Sequence, residues 1–225
     1  MSVIKQGKPV RYRRDDDKMP IQITEVEKKN IGRCLKLENE QVSVIITVDV
    51  GPRVISYALK GMENVLFDGT EKLSFNQDPG FEEYYGKGKK WHIYGGHRLW
   101  YSPEGFPCSY YPDNDPVDYK IVDNTVIMTP NPQIENGVAY TLSFTLDDNT
   151  SRLVIGHKVT SLEDGKEIAP WALTVMATGG VEIIPQSQKQ TGLLSNRRIV
   201  LWPYNDARDA RFFLGNKYIT LKQDP

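Results

Sequence analysis

The stretch Val44–Phe67, VIITVDVGPRVISYALKGMENVLF, decides the fold class. Val42–Val48 is dense in β-branched residues, whose stiff χ1 suits extended backbone. Gly51-Pro52 interrupts the run, because proline lacks an amide donor and fixes φ. Arg53–Leu59 resumes it, and Lys60-Gly61 turns the chain into Asn64–Phe67. Short strands joined by close turns, with no amphipathic helix between them, predict antiparallel pairing. Upstream, Cys34–Glu38 alternates apolar and polar residues and Asn39-Glu40 supplies a turn. Downstream, strand patterning covers Tyr119–Val122, Val126–Thr129, Val138–Leu146 and Arg152–Ser161. Asp123-Asn124, Glu135-Asn136-Gly137 and Asp147-Asp148-Asn149 separate these runs with turn chemistry. Trp171–Ala177 and Val181–Pro185 flank Gly179-Gly180 as a hairpin candidate. Ile199–Trp202 and Tyr218–Leu221 read as strands, and Asn205–Phe213 as a short helix or a loop. Roughly a dozen strands imply an all-β fold of two stacked antiparallel sheets.

The whole chain has 225 residues, with 28 Lys+Arg against 29 Asp+Glu and a formal charge of −1. That balance gives no basic excess with which to displace counterions from nucleic acid, and no electrostatic reason to sit on an anionic membrane. No run approaches the roughly 18 apolar residues of a spanning helix. Neither nucleic acid nor membrane is therefore expected as a partner. The two cysteines, Cys34 and Cys108, read as reduced thiols, which fits a cytoplasmic location. Secretion after removal of an upstream signal is also compatible with the residues. Residues 1–19 carry the charge run Arg13-Arg14-Asp15-Asp16-Asp17-Lys18 and no apolar core of a signal peptide. They read as a solvated flexible arm or an appended remnant, ahead of one domain over residues 20–225.

Residues 68–116 break the strand rhythm with glycines, prolines and a dense aromatic set that includes Trp91, Tyr94, Trp100, Tyr101, Tyr110 and Tyr111. So many aromatics would not stay in water, which predicts an ordered, aromatic-lined loop system. Within it, His92, His97, Arg98, Trp100 and Glu104 lie among Gly95, Gly96 and Gly105. Glycines admit close backbone approach to a ligand. Aromatic faces stack on the C–H face of a sugar ring, while arginine and carboxylate hold its hydroxyls. Histidine moves protons near neutral pH. A packed loop with hydrogen-bonded histidines is the plainer alternative.

His157 lies mid-strand in LVIGHKV, and alternation sets it on one face with Leu153, Ile155 and Val159. It is either a core histidine satisfied by one hydrogen bond or a histidine opening into a ligand site. Trp171 is either a sugar platform or a core plug. Arg53 is either a ligand clamp or half of a salt bridge. No nucleophile elbow, P-loop, dinucleotide fingerprint or zinc-protease motif occurs.

Four stretches resemble the galactose mutarotase-like (aldose 1-epimerase) superfamily, above all a branch carrying a GGHRLW-type motif. They are Val44–Phe67, Gly95–Glu104 (GGHRLWYSPE), Leu153–Gly180 (LVIGHKVTSLEDGKEIAPWALTVMATGG) and Leu201–Tyr204 (LWPY). The resemblance implies an antiparallel β-supersandwich with a sugar-binding groove, and ring opening and reclosure by acid/base side chains without metal or other cofactor. It places His97 and His157 as catalytic acid or base. Arg53, His92, Arg98, Trp100, Glu104 and Trp171 would bind the substrate, a small sugar or glycan. The chain departs from the family by ending before the late glutamate that serves as base, so a truncated C-terminus is one expectation. A non-catalytic glycan- or protein-binding module of the same fold is the alternative function. Either way, imidazoles and indoles are expected to gather in one shared hollow.

Overall fold

The computed structural model describes residues 4–9, 21–70 and 80–223, the segment 4–9 by its backbone alone. Contacts divide the chain into two compact units, Met1–Met176 and Ala177–Pro225, each described here by itself.

Among the described residues, the first unit is all-β apart from one short helix. Its elements are β1 (Ile4–Pro9), β2 (Gln22–Lys28), β3 (Gly32–Glu38), β4 (Val42–Thr47), β5 (Val54–Leu59), α1 (Phe81–Tyr85), β6 (Gly96–Ser102), β7 (Asp118–Val122), β8 (Thr125–Thr129), β9 (Val138–Leu146), β10 (Leu153–Ser161) and β11 (Ala169–Val175). One sheet has seven strands in the order β1-β2-β3-β4-β5-β6-β11, and the other has four in the order β10-β9-β8-β7. Every pairing is antiparallel.

The sheets stack because each presents an apolar face. Val138, Tyr140, Leu142, Phe144 and Leu146 alternate strictly with half-buried residues along β9. They meet Leu35, Leu37, Val42, Val44, Ile46, Leu99 and Tyr101 of the seven-stranded sheet in one cluster. Burying such a side chain stabilises the fold by about 1.5–3 kcal/mol. The seven-stranded sheet is apolar on its other face too, where Val26, Cys34, Ile45, Ile55 and Tyr94 form a second, smaller cluster. Two buried faces explain why β4 reads as an almost unbroken run of β-branched residues.

Part of the arm set aside over residues 1–19 is a strand, since β1 runs along β2 from Ile4↔Lys28 to Pro9↔Thr24. Residues 1–3 and 10–20 lie outside the described residues. The region 68–116 is not all loop: it supplies α1 and the interior strand β6, while residues 71–79 lie outside the described residues.

The second unit holds β12 (Val181–Pro185), β13 (Phe212–Leu214) and β14 (Tyr218–Lys222) in a three-stranded sheet of order β12-β14-β13. The hairpin expected across Gly179-Gly180 is absent: β11 pairs with β6, and β12 pairs with β14. A glycine pair permits a tight turn, but the available ladder partner decides the pairing. Ile199–Trp202, expected as a strand, has no strand conformation. Its β-branched start finds no ladder partner among the described residues. Of Asn205–Phe213, residues 205–211 form turns and irregular backbone, and Phe212-Phe213 already belong to β13.

Candidate functional site

His97 owes its position to two glycines. Gly95 and Gly96 have φ of +82° and +68°, a left-handed backbone that side chains disfavour. A Cβ on Gly95 would meet the Phe67 carbonyl oxygen at 2.2 Å, and one on Gly96 the Val54 carbonyl oxygen at 2.0 Å. Only hydrogen at those positions lets β6 enter between Phe67 and β5. The entry sets His97 opposite Val54 on one side and Thr174 of β11 on the other.

From there the pleat divides the residues of β6. His97, Leu99 and Tyr101 share one face, and Leu99 and Tyr101 join the inter-sheet core. Arg98 and Trp100 project from the opposite face. His157 arrives from the other sheet, opposite Leu142 in the β9–β10 ladder. It sits on the strand face that carries Leu153, Ile155 and Val159, all packed on the core.

The two imidazoles meet. His97 Nε2 lies 2.9 Å from His157 Nε2, and His97 Nδ1 lies 2.8 Å from Thr174 Oγ1. The ring centroids are 5.1 Å apart, close to the nitrogen separation plus two ring radii, so the nitrogens point almost straight at each other. Burial, reinforced by His157, pulls the His97 pKa down to about 4. Burial also lowers the pKa of His157. Both rings are therefore neutral at pH 7, when each offers one donor and one acceptor nitrogen.

Beside the pair opens a cavity of about 520 Å³. Tyr57, His97, Thr150, Ser151, Arg152 and Thr174 supply its polar lining, over a floor of Val54, Leu66, Leu153 and Ile155. Tyr57 Oη donates to the Ser151 carbonyl, which ties β5 to the turn before β10. The β9–β10 turn is itself fixed: Asn39 Nδ2 donates to the carbonyls of Asp147 and Thr150, each at 2.8 Å. Its size and mixed lining suit a small ligand with both polar and apolar faces, since such sites span roughly 300–1,000 Å³.

The other residues proposed from the sequence stand elsewhere. Arg98 stacks on Trp100, its guanidinium carbon 3.6 Å from the ring centroid, and lies 4.9 Å from that of Trp91. Trp171 meets Trp100 edge-on at 5.8 Å. These groups belong with the aromatic cluster of Phe81, Tyr85 and Trp91, not with the imidazole pair. Glu104, in the loop after β6, accepts from Tyr110 Oη at 3.0 Å. His92 makes its ring contact with Tyr94.

Arg53 is only 1% exposed, and its Nη2 donates to both carboxylate oxygens of Asp113 at 2.7 and 2.6 Å. Its guanidinium also lies 5.1 Å from the Tyr94 ring centroid. The arginine thus anchors the start of β5 to the segment ahead of β7. The shared hollow expected from the sequence is divided. Imidazoles occupy one face of β6, and indoles with Arg98 occupy the other.

Thr174 and the Thr150–Arg152 turn escaped the sequence reading. Thr174 was legible only as a hydroxyl inside an apolar strand, and its partner is 77 residues away in sequence. Among the described residues, no group of three His, Cys, Asp or Glu side chains is placed to hold a metal ion. Among the described residues, no helix is long and apolar enough to cross a membrane. Comparison with family models, with curated proteins and with solved structures finds no match.

Proposed function

We propose that the protein is a carbohydrate-binding, mutarotase-like β-sandwich that acts as a cofactor-independent aldose 1-epimerase. The observation that carries this reading is the His97–His157 contact of 2.9 Å beside a cavity lined by both polar and apolar groups. Anomer exchange needs a proton removed from the anomeric hydroxyl and another delivered to the ring oxygen. A hydrogen-bonded pair of neutral imidazoles holds both bare nitrogens and N–H groups, and can pass a proton in either direction. The hydroxyls of Thr150, Ser151 and Thr174, with Arg152, match a polyol in donor and acceptor character. The fold and the resemblance around Gly95–Glu104 agree with this reading but do not determine the chemistry.

The test is NMR magnetisation transfer between the α and β anomers of glucose, galactose and related aldoses. Faster transfer with the protein, lost in His97→Gln, supports the reading. Unchanged transfer across the sugars rejects it.

A second reading, a non-catalytic glycan-binding module, draws on a different surface. Trp100, Trp171 and Arg98 form a half-buried aromatic and cationic platform on the face of β6 away from the imidazoles. Glycan binding that survives His97→Gln but not Trp171→Ala would favour it.

A further inference from the structure

The imidazole pair has two distinguishable ends. At one end, Thr174 Oγ1 holds His97 Nδ1 at 2.8 Å, and both residues line the cavity. At the other, His157 does not line the cavity. His157 is half-buried, and among the described residues its Nδ1 makes no hydrogen bond and is not one of the sealed polar atoms lacking a partner, which leaves that atom open to solvent. Between the ends, the two Nε2 atoms face each other nearly in line.

We infer that Thr174, His97 and His157 form a proton relay that joins the cavity to solvent. This rests on the sugar reading of the same cavity and deepens it: the histidines act in series, not as separate acid and base.

The hydrogen bonds permit two neutral states. In the first, Thr174 Oγ1–H donates to His97 Nδ1, His97 Nε2–H donates to His157 Nε2, and His157 Nδ1 carries a hydrogen toward solvent. In the second, every bond is reversed: His157 Nε2–H donates to His97 Nε2, His97 Nδ1–H donates to Thr174 Oγ1, and His157 Nδ1 is bare. Passing from the first to the second moves one proton outward. A ligand hydroxyl gives its proton to Thr174 Oγ1 as the threonine's own hydrogen passes to His97 Nδ1. The His97 Nε2 hydrogen then passes to His157 Nε2, and the His157 Nδ1 hydrogen leaves to water. The ligand becomes an alkoxide, water gains one proton, and all three side chains end neutral. The reverse passage delivers a proton to the ligand. Low pKa values suit this use, because neither ring traps the proton as a stable imidazolium.

Thr174 defines the inner end. The register Thr174↔His97 in the β11–β6 ladder fixes the hydroxyl against the ring. Valine there would keep the shape and remove the entry point, whereas serine would keep both.

The test has two arms. In the first, protein labelled with ¹⁵N at histidine is examined for scalar coupling between the two Nε2 atoms across the shared hydrogen. Its presence in the wild-type chain is expected. Its absence, or both Nε2 atoms protonated at once, overturns the relay without reference to any activity. The second arm follows anomer exchange. His157→Gln should slow it on the order of 10²-fold in weakly buffered solution, and added imidazole should restore it by taking the proton from His97 directly. Thr174→Val should slow it without rescue by imidazole, and Thr174→Ser should stay near wild type. A His157→Gln chain as fast as wild type, with no dependence on buffer, overturns the relay. If the wild-type chain does not speed anomer exchange at all, the sugar reading fails, and the coupling measurement alone decides the relay.

Discussion

His97 Nε2 stands 2.9 Å from His157 Nε2, the two rings reaching toward each other from different sheets. Burial, and for His97 the neighbouring ring, hold both pKa values below the ordinary histidine value, His97 at about 4. In the unfolded chain both titrate near 6.5. Between those values the unfolded state binds more protons than the folded one, so stability rises with pH. The urea midpoint is expected to fall from pH 7 to pH 5 and to be nearly level above pH 7. His97→Gln should shrink the fall. A midpoint unchanged between pH 7 and pH 5 would mean that the rings are not held neutral.

The glycine at the entrance of β6 separates backbone strain from steric exclusion. Gly61 and Gly96 both have positive φ, +77° and +68°. A Cβ on Gly61 meets nothing within 4 Å, while one on Gly96 falls 2.0 Å from the Val54 carbonyl oxygen. Gly61→Ala should therefore cost only the conformational term, about 1–2 kcal/mol. Gly96→Ala should cost clearly more and displace His97 from Val54. Denaturant melts of the two variants check this, and equal losses would contradict it.

Buried Arg53 pairs through Nη2 with the half-buried Asp113, while its Nε finds no hydrogen-bond partner among the described residues, so the carboxylate is its main compensation. Asp113→Ala leaves a guanidinium at 1% exposure without its carboxylate, at an expected cost of about 3 kcal/mol. The double variant Arg53→Met, Asp113→Ala removes both charges and should recover much of that loss. A double variant less stable than Asp113→Ala would assign Arg53 a packing role larger than its charge.

Phe144 is fully buried between the two sheets. Truncation to alanine removes apolar contact and leaves a cavity, at about 3–5 kcal/mol. Val154→Ala, on the exposed side of β10, serves as the control and should change stability by less than about 0.5 kcal/mol. Comparable losses at the two positions would contradict the assignment of inner and outer strand faces.

Much of the sheet architecture was legible because alternation reports burial. Val138–Leu146 stands as read, and the face assigned to His157 is the one it occupies. Val181–Pro185 is also a strand, but all five of its residues are exposed, so burial does not explain it. The failures have physical causes. Gln22–Lys28 alternates weakly and carries charged residues, so β2 gave little periodic signal. Strand β6 hid among glycines and aromatics, because Gly95 and Gly96 serve close passage of strands, not looseness. The meeting of the two imidazoles was expected only from the resemblance, since 60 residues separate them and no local pattern joins them. The error of joining His97 with Arg98 and Trp100 came from reading neighbours in sequence as neighbours in space. In a strand, adjacent side chains point to opposite faces.

The most direct measurement of the central claim is anomer exchange of unmodified aldoses, followed by NMR magnetisation transfer with wild-type protein and with His97→Gln. Exchange faster than in buffer for at least one aldose, falling on the order of 10²-fold in the variant, is the expected result. Exchange no faster than in buffer for every aldose, or equally fast in the variant, would contradict a catalytic role for the imidazole pair.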